Sequence, residues 1–229
     1  MVETKQILKK SIEKQMNKKI KVLNLHAGIG GNRKLWNNDN YEVTAVEYNQ
    51  ELADIYKQFY PGDKVVVADA NDFLAKNWRD YDFIWASPPC QTHSKMRYCA
   101  SKRGSYDAKL PNLELYEFIL FLKHFCKDKL WVVENVVPYY EPLIKPNGKL
   151  GRHLVWCNFD FEEIKIEDSE VKHKKVTGQT EKYGISLRDF KMKQRKDQII
   201  RNCVNPEIGK HLIDCAFNTK KEGLKQFNI

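Results

Sequence analysis

The 229-residue chain lacks several features that would settle its class at once. No apolar run approaches the roughly 18 residues of a membrane span; the longest pieces, such as 118–122 and 130–133, are sized for strands or helices. The first ten residues hold no hydrophobic core of a signal peptide, so no secretion signal is expected. None of the six cysteines (Cys90, Cys99, Cys126, Cys157, Cys203, Cys215) stands in a CxxC pair, which disfavours a zinc ribbon or a thioredoxin-type motif, and no metal site is predicted. Free thiols in a reducing cytoplasm are the expected setting. There is no GK[ST], which disfavours a P-loop. Repeats and low-complexity tracts are missing too. Because 42% of residues are hydrophobic and 12% aromatic, disorder as the main state is excluded. This length suits one domain, or a domain with a small lobe, and can bury a sizeable core.

What is present is positive charge, unevenly placed. The net charge is +9; residues 1–21 contribute seven Lys against two Glu, and residues 171–201 ten Lys or Arg against three acids. The rest of the chain is therefore slightly acidic. A basic run is often only a solvated face. The 171–201 stretch is also interleaved with Tyr183, Phe190, Gln179 and Gln194, a mixture suited to phosphate and base contacts.

The pattern predicts a Lys-rich helix over 3–18, then short apolar strands alternating with helices. Strands are expected at 20–26, 41–46, 64–68, 81–86 and 129–133, with helices at 49–59 and 113–125 and a short one ending at Trp36. Residues 92–110 read as a long loop. Beyond 137, a hairpin of 152–157 with 159–166 is expected, then a helix over 204–217. Alternation of this kind predicts an α/β fold, a mostly parallel sheet with helices on both faces, which binds ligands beyond the carboxyl ends of its strands. Those ends carry Gly28-Ile-Gly-Gly31, Glu47, Asp69, Pro88-Pro-Cys-Gln91 and Glu134-Asn-Val136.

Two of these clusters carry chemistry. The loop Ala27, Gly28, Ile29, Gly30, Gly31 follows a strand and opens a helix, so a ligand can approach backbone N–H groups there. It lacks the third glycine of GxGxxG, since Arg33 and Lys34 occupy that region. Glu47 stands where an acid meets ribose hydroxyls in nucleotide-binding folds. The pair suits an adenosine-containing ligand, although turn glycines and a surface Glu would look the same. In Pro88-Pro89-Cys90-Gln91, two prolines fix the backbone before a cysteine above the same site, which places a thiolate as a nucleophile. Glu134 ends the neighbouring strand; in a half-buried pocket its pKa is expected to be raised, making it a proton donor.

These residues resemble the C5-cytosine DNA methyltransferase family. The matching pieces run in family order: Leu-His-Ala-Gly-Ile-Gly-Gly (25–31), Val-Glu-Tyr (46–48), Ala-Asp-Ala (68–70), Ser-Pro-Pro-Cys-Gln-Thr-His-Ser (87–94), Val-Glu-Asn-Val (133–136), Gly-Arg-His-Leu-Val-Trp-Cys-Asn (151–158) and Arg-Asn-Cys-Val (201–204). The resemblance implies a Rossmann-like S-adenosylmethionine-dependent methyltransferase fold and a small bacterial or phage-like DNA (cytosine-5)-methyltransferase. The target cytosine would be flipped out of the duplex. Cys90 would attack C6, Glu134 would hold N3 and the exocyclic amine, Arg152 would hold the O2 side, and Asn135 would orient the Pro88–Gln91 loop. S-adenosyl-L-methionine would lie against His26, the 27–31 loop, Glu47, Tyr48, Asp69, Ala70, Pro88, Asn202 and Val204.

Departures are visible as well. The family usually has an aromatic residue where His26 stands, an Asp where Asn24 stands and a glycine where Arg201 stands. Only about forty residues separate the 151–158 segment from Asn202, where most members hold a large recognition domain. The expected division is therefore a catalytic part (1–158), a reduced recognition region (159–200) and a C-terminal segment (201–229) returning to the catalytic part. Double-stranded DNA contacts are expected from Gln91, Ser94, Lys95, Arg97, Lys102 and Arg103 after the nucleophile, and from Lys174, Lys175, Gln179, Arg188, Gln194 and Arg195 in the basic stretch. A homodimer and a restriction endonuclease partner both stay open. So do three rivals: a transfer RNA cytosine-5 methyltransferase, a non-catalytic DNA-binding relative and, from the residues alone, a nucleotide-dependent oxidoreductase.

Overall fold

A computed structural model describes residues 18–166 and 181–226 of the chain; the predicted helix over 3–18 falls almost wholly outside them. Five parallel strands come first: β1 (Ile20–Leu25), β2 (Tyr41–Glu47), β3 (Lys64–Val67), β4 (Phe83–Ala86) and β5 (Leu130–Val136). Between them lie α1 (Gln50–Phe59), α2 (Ala70–Asn77), α3 (Lys95–Lys102) and α4 (Glu114–Phe125). The hairpin β6 (Gly148–Leu150) and β7 (His153–Cys157) completes a seven-stranded sheet in the order β3-β2-β1-β4-β5-β7-β6, with β7 antiparallel to both neighbours. A small ribbon, β8 (Glu181–Lys182) with β9 (Ile185–Ser186), precedes α5 (Lys196–Asn202) and α6 (Pro206–Gln226). This is a mostly parallel α/β sheet, as the alternation of strands and helices predicts. Among the described residues no helix is long and apolar enough to cross a membrane.

Strand alternation assigns the two layers. Leu25, Val46, Ala86 and Val133 pack in one core with Leu74 of α2 and Leu115, Phe118, Ile119 and Leu122 of α4. Val22, Val43, Trp85 and Val132 face the other side, against Ile208, Leu212, Ile213 and Ala216 of α6. Strands covered on both faces read as continuous apolar runs, as 83–86 and 130–133 do. Burying a large side chain such as Trp85 or Phe83 fully contributes about 1.5–3 kcal/mol.

Register decides what faces the ligand. Leu25 pairs with Val46 and with Ala86, and Ala86 pairs with Val133, so the four strands reach one level together. The next residues, His26, Glu47, Ser87 and Glu134, therefore stand in a single row. They form the rim on which a site can be built.

Three sequence expectations change here. Residues 95–102, read as loop, form α3, a short helix none of whose residues is buried. The hairpin uses 148–150 with 153–157, and 159–166 forms no strand; the positive φ of Gly151 (57°) makes the tight turn. Finally, β5 does not stop at Val133. The antiparallel partner β7 continues the ladder where parallel β4 has ended, so Glu134 and Asn135 lie inside a strand and are buried.

Candidate active site

The loop after β4 carries Cys90 and is held from one side by the segment after β5. Asn135 Nδ2 donates to the Pro88 carbonyl at 2.9 Å. Ser94 bridges to Pro138, and the Tyr139 N–H donates to the His93 carbonyl at 3.0 Å. His93 is buried, with Nδ1 2.6 Å from the Tyr140 hydroxyl. Prolines restrict the loop's own torsions, and these contacts fix where it sits. Cys90 is half-buried. Burial pushes its thiol up to about 11, the Glu134 carboxylate adds to this, and the Arg152 guanidinium partly opposes it. Near neutral pH this favours the thiol form of Cys90.

Glu134 also departs from expectation. Burial pushes its carboxyl up, but facing His153, the Ser87 hydroxyl and the Arg152 guanidinium outweigh burial, and the group is held below the usual carboxylate range. Glu134 Oε2 lies 2.7 Å from His153 Nδ1, and both side chains are about 5% exposed. The predicted raised pKa is thus replaced by an ionised carboxylate, because strand β7 supplies a partner that the sequence around 134 does not reveal. Arg152 occupies the β6–β7 turn, and its guanidinium donates to the Arg201 carbonyl at 2.6 Å, which brings the end of α5 to the site.

The glycine loop forms the other half of the rim. His26 adopts a positive φ (54°), as do Gly28 (53°) and Gly30 (81°). For His26 this is a sparsely populated conformation. Its Nε2 lies 3.1 Å from Glu114 of α4, while buried Nδ1 has no partner. That His26 contact, above all, lowers the Glu114 carboxyl pKa. Glu47 accepts from the Gly28 N–H at 2.8 Å and from the Asn49 N–H at 2.9 Å. Gly31 lies flat on the C-terminal segment, where a Cβ would stand 2.5 Å from the Val204 carbonyl oxygen. Ala27, Ile29, Gly30 and Ala70 are buried; Tyr48 is 78% exposed. Exposed Asp69 caps α2, accepting from the Asp72 N–H at 2.9 Å. Asn202 is exposed at the end of α5.

This half fits an adenosyl ligand. A Cβ on Gly28 would meet nothing within 4 Å, so the loop leaves open space beside the strand-end carboxylate that its N–H bonds. Glu47 has the chemistry to accept from vicinal hydroxyls.

The residues expected to meet nucleic acid divide into groups. Gln91, Lys95, Lys102 and Arg103 are exposed around α3, Ser94 stands at its N-cap position, and the Arg97 guanidinium lies 4.1 Å over the Tyr106 ring. Gln91, Arg97 and Tyr98, which stacks on Tyr139 at 4.5 Å, border a cleft of about 550 Å³ lined also by Pro89, Thr92 and Asn112. Gln198 of α5 lines it too; a lone glutamine in a charged helix gave no signal in the sequence. Arg188, Gln194 and Arg195 are exposed, but the chain around them is docked on α1. Phe190 meets Phe59, and Glu51 accepts from the Lys193 N–H at 2.8 Å. The Arg195 guanidinium pairs with Asp197 at 2.8 Å, which leaves it less free for a base than the sequence suggested. Lys174, Lys175 and Gln179 lie outside the described residues.

Residues 20–138, which hold β1 to β5 and the Cys90 loop, match the C-5 cytosine-specific DNA methylase family model. The chain belongs to that family. The matched stretch includes both Cys90, in the loop after β4, and Glu134, in the neighbouring β5. No curated protein matches the sequence significantly. Among solved structures, a SAM-dependent methyltransferase from Agrobacterium tumefaciens is 17% identical, with a TM-score of 0.39, over 54% of this chain and 41% of its own. The Entamoeba histolytica methyltransferase EhMeth is 18% identical, with a TM-score of 0.36, over 52% and 38%. A mutant DNMT2 from Spodoptera frugiperda is 23% identical, with a TM-score of 0.36, over 51% and 35%. The chain thus spans between 35% and 41% of the length of these structures.

Proposed function

We propose that the protein is a DNA (cytosine-5)-methyltransferase of minimal size, acting in the cytoplasm of a bacterial host. One observation carries this reading: Cys90, Glu134 and Arg152 converge from the β4 loop, β5 and the β6–β7 turn, so that Glu134 and Arg152 both act on the Cys90 thiol and Arg152 acts on the Glu134 carboxyl. Family membership over residues 20–138 supports it. Residues 1–158 form the catalytic part, 159–200 a reduced recognition region and 201–229 the returning segment.

S-adenosyl-L-methionine, held by His26, the 27–31 loop, Glu47, Asp69 and Val204, supplies an electrophilic methyl group. The chain's own residues prepare the base. A flipped cytosine seated against Glu134 presents N3 and its exocyclic amine to the carboxylate. Cys90 Sγ bonds to C6 as the thiol loses its proton and the ring gains one at N3, which leaves C5 electron-rich. After C5 is methylated, solvent water takes the C5 proton, the Sγ–C6 bond breaks as C5=C6 reforms, and the N3 proton returns to sulfur, restoring the thiol. Arg152, tied to the Arg201 carbonyl, stabilises charge that develops on the ring's O2 side.

The test is to offer purified protein methyl-labelled cofactor with double-stranded DNA or with transfer RNA. Label recovered as 5-methylcytosine in DNA is the expected result. Label in transfer RNA alone overturns the DNA assignment, and no label in either overturns the catalytic one.

A further inference from the structure

His153 has no place in the chemistry described so far, yet the register of β5 and β7 aims it at the centre of the site. Glu134 pairs with Val155 and Val136 pairs with His153, so Glu134 and His153 are diagonal neighbours on one sheet face. Such neighbours lie within reach of long side chains. The imidazole Nδ1 approaches Oε2 to 2.7 Å in a close, off-axis contact, and no hydrogen bond otherwise satisfies that buried nitrogen. A buried carboxylate facing a buried imidazole is costly unless each serves the other. The groups around the pair are few. Cys90 and Ser87 face it from the β4 loop and Arg152 from the β6–β7 turn, while β6 offers apolar Leu150.

We propose that His153 is a positioning residue of the methyl transfer: from the first position of β7 it holds the Glu134 carboxylate in the orientation that meets the target base. Arg152, one residue earlier, sits in the turn and is tied to the Arg201 carbonyl. The Arg152-His153 pair thus divides its work, the arginine linking the site to α5 and the histidine aligning the carboxylate. This rests on the methyltransferase reading above.

The experiment compares wild-type, His153→Leu, His153→Gln, Glu134→Gln and the Glu134→Gln/His153→Leu double variant in single-turnover methyl transfer to DNA. Rates are taken across the range in which imidazoles and carboxylates titrate, roughly pH 4 to 8. His153→Leu is expected to lower kcat by about 100-fold, the order seen when a reacting group is displaced by about 1 Å, with KM for cofactor and DNA nearly unchanged. Without its partner the buried carboxylate gains a proton more readily, so the acid limb of the profile moves to higher pH. His153→Gln keeps an N–H donor and is expected to recover much of the rate. In the Glu134→Gln background, His153→Leu should cost nothing further, because both act through one carboxylate.

A wild-type rate in His153→Leu overturns the proposal. So does a loss additive with Glu134→Gln, or a His153→Gln variant as slow as His153→Leu. If His153→Leu fails to fold, His153→Ala takes its place, and a wild-type rate in that variant counts against the role. A wild-type protein that methylates nothing overturns the methyltransferase reading itself, whereas the outcomes above, with an active wild type, overturn only the role of His153.

Discussion

The rim of the sheet and the strip that follows the β8–β9 ribbon are built by opposite means. On the rim, reactive side chains are buried and paired, and they are cross-tied by Asn135 to Pro88, His153 to Glu134 and Arg152 to Arg201. Along residues 188–198 the charged side chains are mostly exposed, and a few apolar anchors such as Phe190 and Met192 hold the backbone to α1 and its surroundings. One region is over-determined and the other is seated lightly. A buried, cross-tied group has no alternative position, so its removal is felt in chemistry. An exposed cation acts at a distance, so its removal is felt in salt-dependent affinity.

The sharpest break with the comparison would be a rim residue that can be dispensed with. Cys90→Ala is expected to abolish methyl transfer while cofactor binding stays near the wild-type value, if the thiol attacks the base as proposed. It should also abolish the covalent adduct with DNA carrying 5-fluorocytosine, whose C5 fluorine cannot leave as a proton. Turnover that survived this change would remove the nucleophile from the rim altogether.

Glu134→Gln comes next, with an expected loss of about 10²–10⁴ in kcat if the carboxylate carries a proton in the reaction. The same change separates charge from structure. Glu134 helps to push the Cys90 thiol up to about 11, so removing the carboxylate should lower the thiol's pKa and speed its alkylation at mildly alkaline pH. Arg152→Ala should slow it, because the guanidinium pulls the other way. Stability carries the matching sign. The native Glu134 pKa is depressed below its ordinary 4.5, so its contribution is present above that value and is lost as pH falls through the native one. Acid unfolding should therefore be shallower in Glu134→Gln, provided it still folds; an equally steep acid transition would deny the pairing.

How much of this was legible in the sequence follows from the same contrast. Pro88-Pro89-Cys90 is a local signal, and the strand-end glycines and Glu47 are local too; short periodic strands located them. The ionised state of Glu134 was not legible, because it depends on β7 lying antiparallel to β5 in one particular register, set by a turn at Gly151 some seventeen residues downstream of the carboxylate. Helix α3 was missed because none of its residues is buried, so it has no apolar stripe. The docking of 188–195 rests on Phe59 meeting Phe190 across more than a hundred residues, a pairing that periodicity does not encode.

The glycine loop lies between the extremes, and two substitutions grade it. Gly31→Ala would drive a Cβ to 2.5 Å from the Val204 carbonyl oxygen, a backbone atom that cannot turn aside. Overpacking of this kind costs about 1–3 kcal/mol and should weaken cofactor binding by loosening the return of the C-terminal segment. Gly28→Ala meets no atom but needs φ near +53°, at a cost of about 1–2 kcal/mol. Thermal melts should therefore rank Gly31→Ala as the less stable of the two. The reverse order would mean that torsion, not packing, governs the loop.

The smallest expected effect belongs to the lightly seated strip. Neutralising Lys191, Lys193 and Arg188, all exposed, should raise KM for DNA at low salt. It should also flatten the dependence of log affinity on log salt by about 0.9 for each phosphate that is no longer neutralised. The backbone N–H of Lys193 is tied to Glu51, so its side chain can be changed without undocking the strip. Lys95 and Lys102 on α3 should behave alike if they flank the same duplex, and the two sets should add if they contact separate phosphates. If the slope moves only for the α3 lysines, the nucleic acid runs along the cleft beside Cys90 and the basic stretch serves some other surface. If it moves for neither, the strip and the rim are not parts of one binding face.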